Sequence, residues 1–269
     1  MAALSLFSAF LYAANVVFLL LGLYVYVSLI RQISSRKFPP DDAPERSFGF
    51  PEAIFAAVLI SLLLLNVVVA ASLPPAQLTI RDLAANLVIT IVVLIILVGF
   101  LSVRRIDIDA LAGFSRMGVL RAAATGSALL LFAYPLLNMG DVITQYFTGE
   151  GSKQNIVELF SGSRTMEERI IIILLAVVIA PVAEEFVFRF FLYGVVRRFF
   201  GRFVGLVFNA VLFAAVHQHL PAFGVLVLLG CCFTLAYEWS GSLLVPMTMH
   251  SLFNSLSLIF LAFPEMSQQ

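Results

Sequence analysis

The sequence predicts an all-α, polytopic membrane protein of about eight transmembrane helices, with a polar cavity among the C-terminal four. Three observations carry that prediction. Hydrophobic residues make up 61% of the 269-residue chain and charged residues only 12%, where a soluble domain carries about 25% charged residues. Mean hydropathy is +1.04. Apolar runs of about 20 residues, the length a helix needs to cross the hydrocarbon, recur along the chain, and in lipid a helix satisfies its own backbone. Formal net charge is zero, so no basic footprint for nucleic acid is present.

The runs fall at residues 5–30, 53–73, 83–102, 119–139, 168–198, 203–218, 222–239 and 243–263. The first lacks a basic leader and is too long for a signal-peptide core, so it reads as a retained helix. The fifth is long and contains Pro181, which predicts a kink. The sixth is short and reads as tilted, bent or buried among its neighbours. Three regions follow: N-terminal helices of unassigned role over 1–140, an extramembrane loop over 141–167, and a core over 168–263. Cys231 and Cys232 are adjacent in one run and point about 100° apart on a helix, so they are read as packing residues rather than a disulfide.

Lysine and arginine bias sets the orientation. With the N-terminus outside, Arg31, Arg36, Lys37, Arg46, Arg104, Arg105, Arg116, Arg121, Arg197, Arg198 and Arg202 fall on the cytoplasmic side. Arg81, Lys153, Arg164 and Arg169 fall outside, and Arg189 falls within the membrane. Both termini are therefore expected outside. Tyr237 and Trp239, flanking Glu238, fit an interfacial belt at the cytoplasmic surface.

The last four runs hold Glu184, Glu185, Arg189, Asn209, His217, His250 and Asn254. The first four hold fewer strongly polar residues, such as Asn15, Asn66 and Asn138. Each charge at a bilayer centre costs about 2.5–3.5 kcal/mol on insertion scales, so such residues mark functional sites. At 1.5 Å per residue, Glu184 lies about 21 Å above Arg198, His217 about 22 Å above Arg202, and Asn254 about 20 Å above Gly241. Three helices thus carry polar groups to similar depths. Glu185 and Arg189 are i and i+4, acid first, the favourable order for a pair. His250 and Asn254 share that spacing, as do Phe213 and His217.

Glu184 points about 100° from Glu185, which predicts a division of labour. Glu185 pairs with Arg189 and holds the helix, while Glu184 faces a wet cavity with the histidines. A carboxylate beside an imidazole can deprotonate a water as general base. A second imidazole and a carboxamide can donate to a developing oxyanion. Together these describe amide hydrolysis without a covalent intermediate. Alternatively, Glu184, His217 and His250 ligate a divalent metal such as zinc that activates the water. No HExxH run is present, so zinc is not dictated. Asn209 reads as interhelical glue and His219 as a loop residue. Ser251 and Ser255 lack an evident base.

The runs "EEFVFR", "FAAVH" and "HSLFN" fit EExxxR, FxxxH and HxxxN motifs in that order. Over about residues 168–260 the chain resembles the CAAX prenyl endopeptidases and bacteriocin-processing or immunity proteins, intramembrane proteases of the type II CAAX endopeptidase kind. The resemblance implies that Glu184 is the catalytic glutamate and that His217 helps it activate water. It implies that His250 and Asn254 support the oxyanion and that Glu185 and Arg189 are chiefly structural. Members often carry glycine after the motif arginine; here Phe190 follows Arg189. The implied partners are the bilayer and a membrane-associated, sometimes prenylated, peptide or protein substrate. Two other classes share this polar core. One is a non-catalytic membrane immunity or scaffolding protein. The other is a proton-coupled transporter, though no inverted repeat relates the two halves.

Overall fold

The computed structural model describes residues 2–36, 48–73, 79–148, 159–160, 162–163 and 165–262. Lys37, Arg46, Lys153 and Arg164 of the expected charge balance lie outside the described residues, as does much of the expected 141–167 loop. Every described element is helical. The first helix, α1, is Ala2–Ser35, followed by α2 (Phe50–Ser72), α3 (Ile80–Val103) and the short α4 (Ile108–Ala112). Helix α5 is Val119–Thr148; it contains Pro135 and runs beyond the expected end at 139.

The glutamates lie on a continuous helical stretch built from α6 (Met166–Ile173), a π-helical turn (Leu174–Ile179), α7 (Ala180–Glu185), a second π-helical turn (Phe186–Leu192) and α8 (Tyr193–Val216). Pro181 was expected to kink this stretch. A widened turn directly precedes it, with Ala180 N–H donating five residues back to Leu175 O. Proline has no N–H of its own to donate, and a π turn is a known way to absorb such a local mismatch. A 3₁₀ turn (Leu220–Ala222) leads to α9 (Phe223–Ser240), and α10 (Leu244–Ala262) ends the described chain.

Six described helices are long and apolar enough to cross a membrane, and Leu244–Phe260 is a shorter apolar helix. One of the six, Met166–Val216, is interrupted at Gly201 (φ 85°, ψ 170°). That backbone region is essentially reserved for glycine. The chain reverses there: a Cβ on Gly205 would stand 3.1 Å from Arg197 N, so the two limbs pack closely across the break. Two limbs here, together with the shorter α10, bring the total to about eight. The chain is a multi-pass integral membrane protein.

Helix α5 is the central post, packed against α1, α9 and α10, while α8 packs on α9 and α2. Contact is close enough that a Cβ on Gly126 would meet Val245 O at 2.8 Å. Small residues permit this approach in helix pairs within lipid. In contrast, α2 and α3 leave most of their apolar side chains exposed, as lipid-facing helices do.

Polar contacts collect at one end of the bundle. Arg197 and Arg202 both reach Glu238. Arg202 also donates to Ile33 O (3.0 Å), Arg36 to Trp239 O (2.8 Å), and Trp239 Nε1 to Gln32 (2.9 Å). At the same end Arg104 pairs with the buried Glu52 at 2.8 Å, Tyr237 Oη donates to Leu111 O, and Leu243 N–H to Ala112 O. These contacts tie the C-terminal helices to α1 and α4, and α3 to α2. They also gather the arginines that the sequence places on the cytoplasmic side.

Candidate active site

Three separate chain segments bring the site together. Glu184 and Glu185 end α7, His217 sits just past the end of α8, and His250 and Asn254 lie on α10. Glu185 points into the protein and is fully buried, whereas the Glu184 side chain is 30% exposed. The 100° between neighbouring helical positions makes that split.

The buried carboxylate is shared. Glu185 Oε1 accepts from Arg189 at 3.0 Å and lies 2.9 Å from His250 Nδ1. The pair with Arg189 was expected; the link to His250 was not, since nothing in their separation of 65 positions announces it. With Nδ1–H donating to the carboxylate, the neutral His250 ring carries its lone pair on Nε2. Arg189 is also fully buried and is held between rings, its guanidinium carbon 4.1 Å from the Phe213 centroid and 5.1 Å from that of Phe233. The negative faces of aromatic rings favour a cation there.

His217 is set by its own turn. Its Nδ1 lies 2.7 Å from Phe213 O, so that nitrogen donates to the carbonyl and Nε2 faces away. Phe213 packs against both imidazoles, with ring centroids 4.6 Å from His217 and 5.8 Å from His250. The result is a convergence on one atom. Glu184 Oε2 lies 3.8 Å from His217 Nε2 and 3.9 Å from His250 Nε2. These separations exceed a direct hydrogen bond, and Oε2 has no hydrogen-bond partner among the described residues.

Glu184, His217, His250 and Asn254 line one cavity of about 580 Å³. Asn254 Nδ2 donates to Ala176 O at 2.7 Å, anchoring α10 to the first π-helical turn and leaving a second amide hydrogen. Asn209 donates to Thr234 across α8 and α9 at 3.3 Å, away from the cavity, in the role of glue. Sequence reasoning missed several cavity residues: Asn86 and Thr90 on α3, and Ser257 on α10. The i, i+4 spacing of Asn86 and Thr90 inside an apolar run was the available signal.

The metal-ligating alternative finds no support. Among the described residues, no group of three or more His, Cys, Asp or Glu side chains is arranged to hold a metal ion. The Nδ1 atoms of the two imidazoles are held by Phe213 O and Glu185, which leaves both Nε2 atoms facing Glu184.

Residues 166–256 match the family of the type II CAAX prenyl endopeptidase, Rce1-like. The match covers about a third of the chain, and this stretch is similar to Rce1-like domains. It contains all six residues singled out from the sequence, from Glu184 to Asn254. A curated protein similar to the chain is the membrane-embedded CAAX protease MroQ of Staphylococcus aureus (strain USA300), 28% identical over 144 residues. That similarity covers 51% of this chain and 56% of the relative, so the chain spans about half the length of the curated protein it matches. No solved structure matches the chain. Helices α1–α5 fall outside the matched residues, although α3 supplies one wall of the cavity.

Proposed function

We propose that the protein is an intramembrane endopeptidase that hydrolyses a peptide bond of a membrane-associated substrate with a water activated by Glu184 and His217. The observation that carries this reading is the single carboxylate oxygen facing two imidazole nitrogens at 3.8 and 3.9 Å inside a membrane-depth cavity. A water between Glu184 and His217 would donate one hydrogen to each, since both present acceptors. Its lone pairs then face the cavity and a bound carbonyl carbon.

Attack forms the carbon–oxygen bond and passes the water's proton to Glu184. The carbonyl oxygen becomes an oxyanion, which the remaining N–H of Asn254 would stabilise, joined by Nε2–H of His250 when that ring is the imidazolium, with Nδ1–H held by Glu185. As the carbon–nitrogen bond breaks, Glu184 returns its proton to the leaving amine. A carboxylate in both roles balances the protons over the cycle. Glu185 and Arg189 act at one remove: Glu185 fixes the His250 ring, and Arg189 offsets the charge of Glu185. The similarity to Rce1-like domains and the protease relative support this assignment.

The test is cleavage of a membrane-tethered peptide, prenylated or not, by protein purified in detergent or lipid, with products read by mass spectrometry. Glu184→Gln keeps the shape and removes the base, and it is expected to reduce turnover by at least 100-fold, in the range of lost general-base catalysis. Wild-type cleavage by Glu184→Gln would overturn the proposal and favour a non-catalytic immunity or scaffolding role.

A further inference from the structure

The cavity occupies only one half of the bundle's length. Helix α10 leaves the arginine-rich end at Leu244, yet its lining residues run from His250 to Phe260, close to its far end. Helix α3 reaches the arginine-rich end through Arg104, yet its lining residues, Leu83 to Thr90, belong to its first half from Ile80. Helix α9 meets that end at Glu238 and Trp239, and contributes Leu226 and Leu229 from its opposite end. At the far rim, Leu83 and Leu258 pack with Phe160 of the segment that joins α5 to α6. The cavity therefore lies away from the arginines.

Asn86 and Thr90 are the polar members of the α3 wall. Neither side chain makes a hydrogen bond to a described residue. Asn254 and Ser257 line the same cavity from α10. A peptide bond can be hydrolysed only where its carbonyl is free of helical hydrogen bonding, and in an apolar setting each freed backbone group needs a partner. A carboxamide and a hydroxyl at i and i+4 offer such partners along one line.

The arginine-rich end is the cytoplasmic one by the positive-inside rule. We infer that the cavity opens on the extracytoplasmic half of the membrane and takes an extended peptide segment from that side, with Asn86 and Thr90 holding its backbone. The peptide part of the inference rests on the protease reading above; the side of opening does not.

The side is tested by labelling in right-side-out and inverted membrane vesicles from cells expressing the full chain, with a membrane-impermeant maleimide. Asn86→Cys is expected to react only in right-side-out vesicles. Ser34→Cys, exposed near the arginine-rich end of α1, is expected to react only in inverted ones. The unaltered chain, with Cys231 and Cys232 as its thiols, sets the background. Reaction of Asn86→Cys from the inverted side, from both sides or from neither overturns the inference. Ser257→Cys is expected to follow Asn86→Cys and replaces it if that variant does not reach the membrane. Labelling does not require hydrolysis, so this result is independent of the Glu184→Gln test. In the cleavage assay, Asn86→Leu is expected to raise KM roughly tenfold with kcat retained, the pattern of lost substrate binding. An unchanged KM would remove Asn86 from the substrate wall.

Discussion

Glu184 and Glu185 are neighbours with opposite surroundings. Glu185 is enclosed with Arg189 and His250, and its Oε1 serves both. Glu184 keeps a face on the cavity and no protein partner at Oε2. A buried charge that loses its partner is left uncompensated, at a cost of about 3–5 kcal/mol. Glu185→Gln is therefore expected to lower the thermal midpoint of the purified protein strongly, through the unpaired Arg189. Glu184→Gln is expected to leave that midpoint nearly unchanged while abolishing cleavage. Paired melting curves of the two variants check this. Equal destabilisation by both would mean that the two carboxylates share one structural task.

Two breaks in helical geometry place the site. The first is Gly201, whose φ of 85° turns α8 back beside its own first limb. A Cβ there meets no neighbouring atom, so Gly201→Ala isolates the backbone cost. It is expected to destabilise by about 1–3 kcal/mol, read from thermal melts. The second is Gln218, directly after His217, which holds a left-handed φ of 52°. Its side chain donates to Asn66 of α2 at 2.8 Å, a link across 152 positions. Asn66 thus positions His217 by way of a strained turn. One hydrogen bond is worth about 0.5–1.5 kcal/mol, so Asn66→Leu is expected to slow turnover about 2- to 10-fold. Gln218→Gly removes both the strain and the link, and in that background Asn66→Leu should have no further effect. A double-mutant cycle on kcat measures the difference; equal losses in both backgrounds would rule out the clamp.

The stretch similar to Rce1-like proteins, residues 166–256, is bonded to the helices that precede it. Tyr237 and Leu243 bond to α4, Arg202 to α1, and α10 lies on α5 at the distance that Gly126 allows. Residues 165–262 made alone are therefore expected to aggregate in detergent. Co-expression with a fragment of residues 1–148 should restore a monodisperse complex, as judged by size-exclusion chromatography. A monodisperse, active 165–262 fragment would show that α1–α5 are dispensable.

The helical class, the approximate boundaries of the runs and the polar residues of the last four helices were legible in the sequence. Composition reports burial in lipid directly, and intramembrane charges stand out against an apolar background. The Glu185–Arg189 pair was legible for the same local reason, since i and i+4 meet on any helix. The tertiary structure alone decided which distant groups meet. His250 reaches Glu185, Asn254 reaches Ala176, and Asn86 and Thr90 complete the cavity, because packing angles between helices join positions far apart in the chain. Helical periodicity carries which face a residue occupies; which neighbour that face meets depends on close packing over the whole bundle.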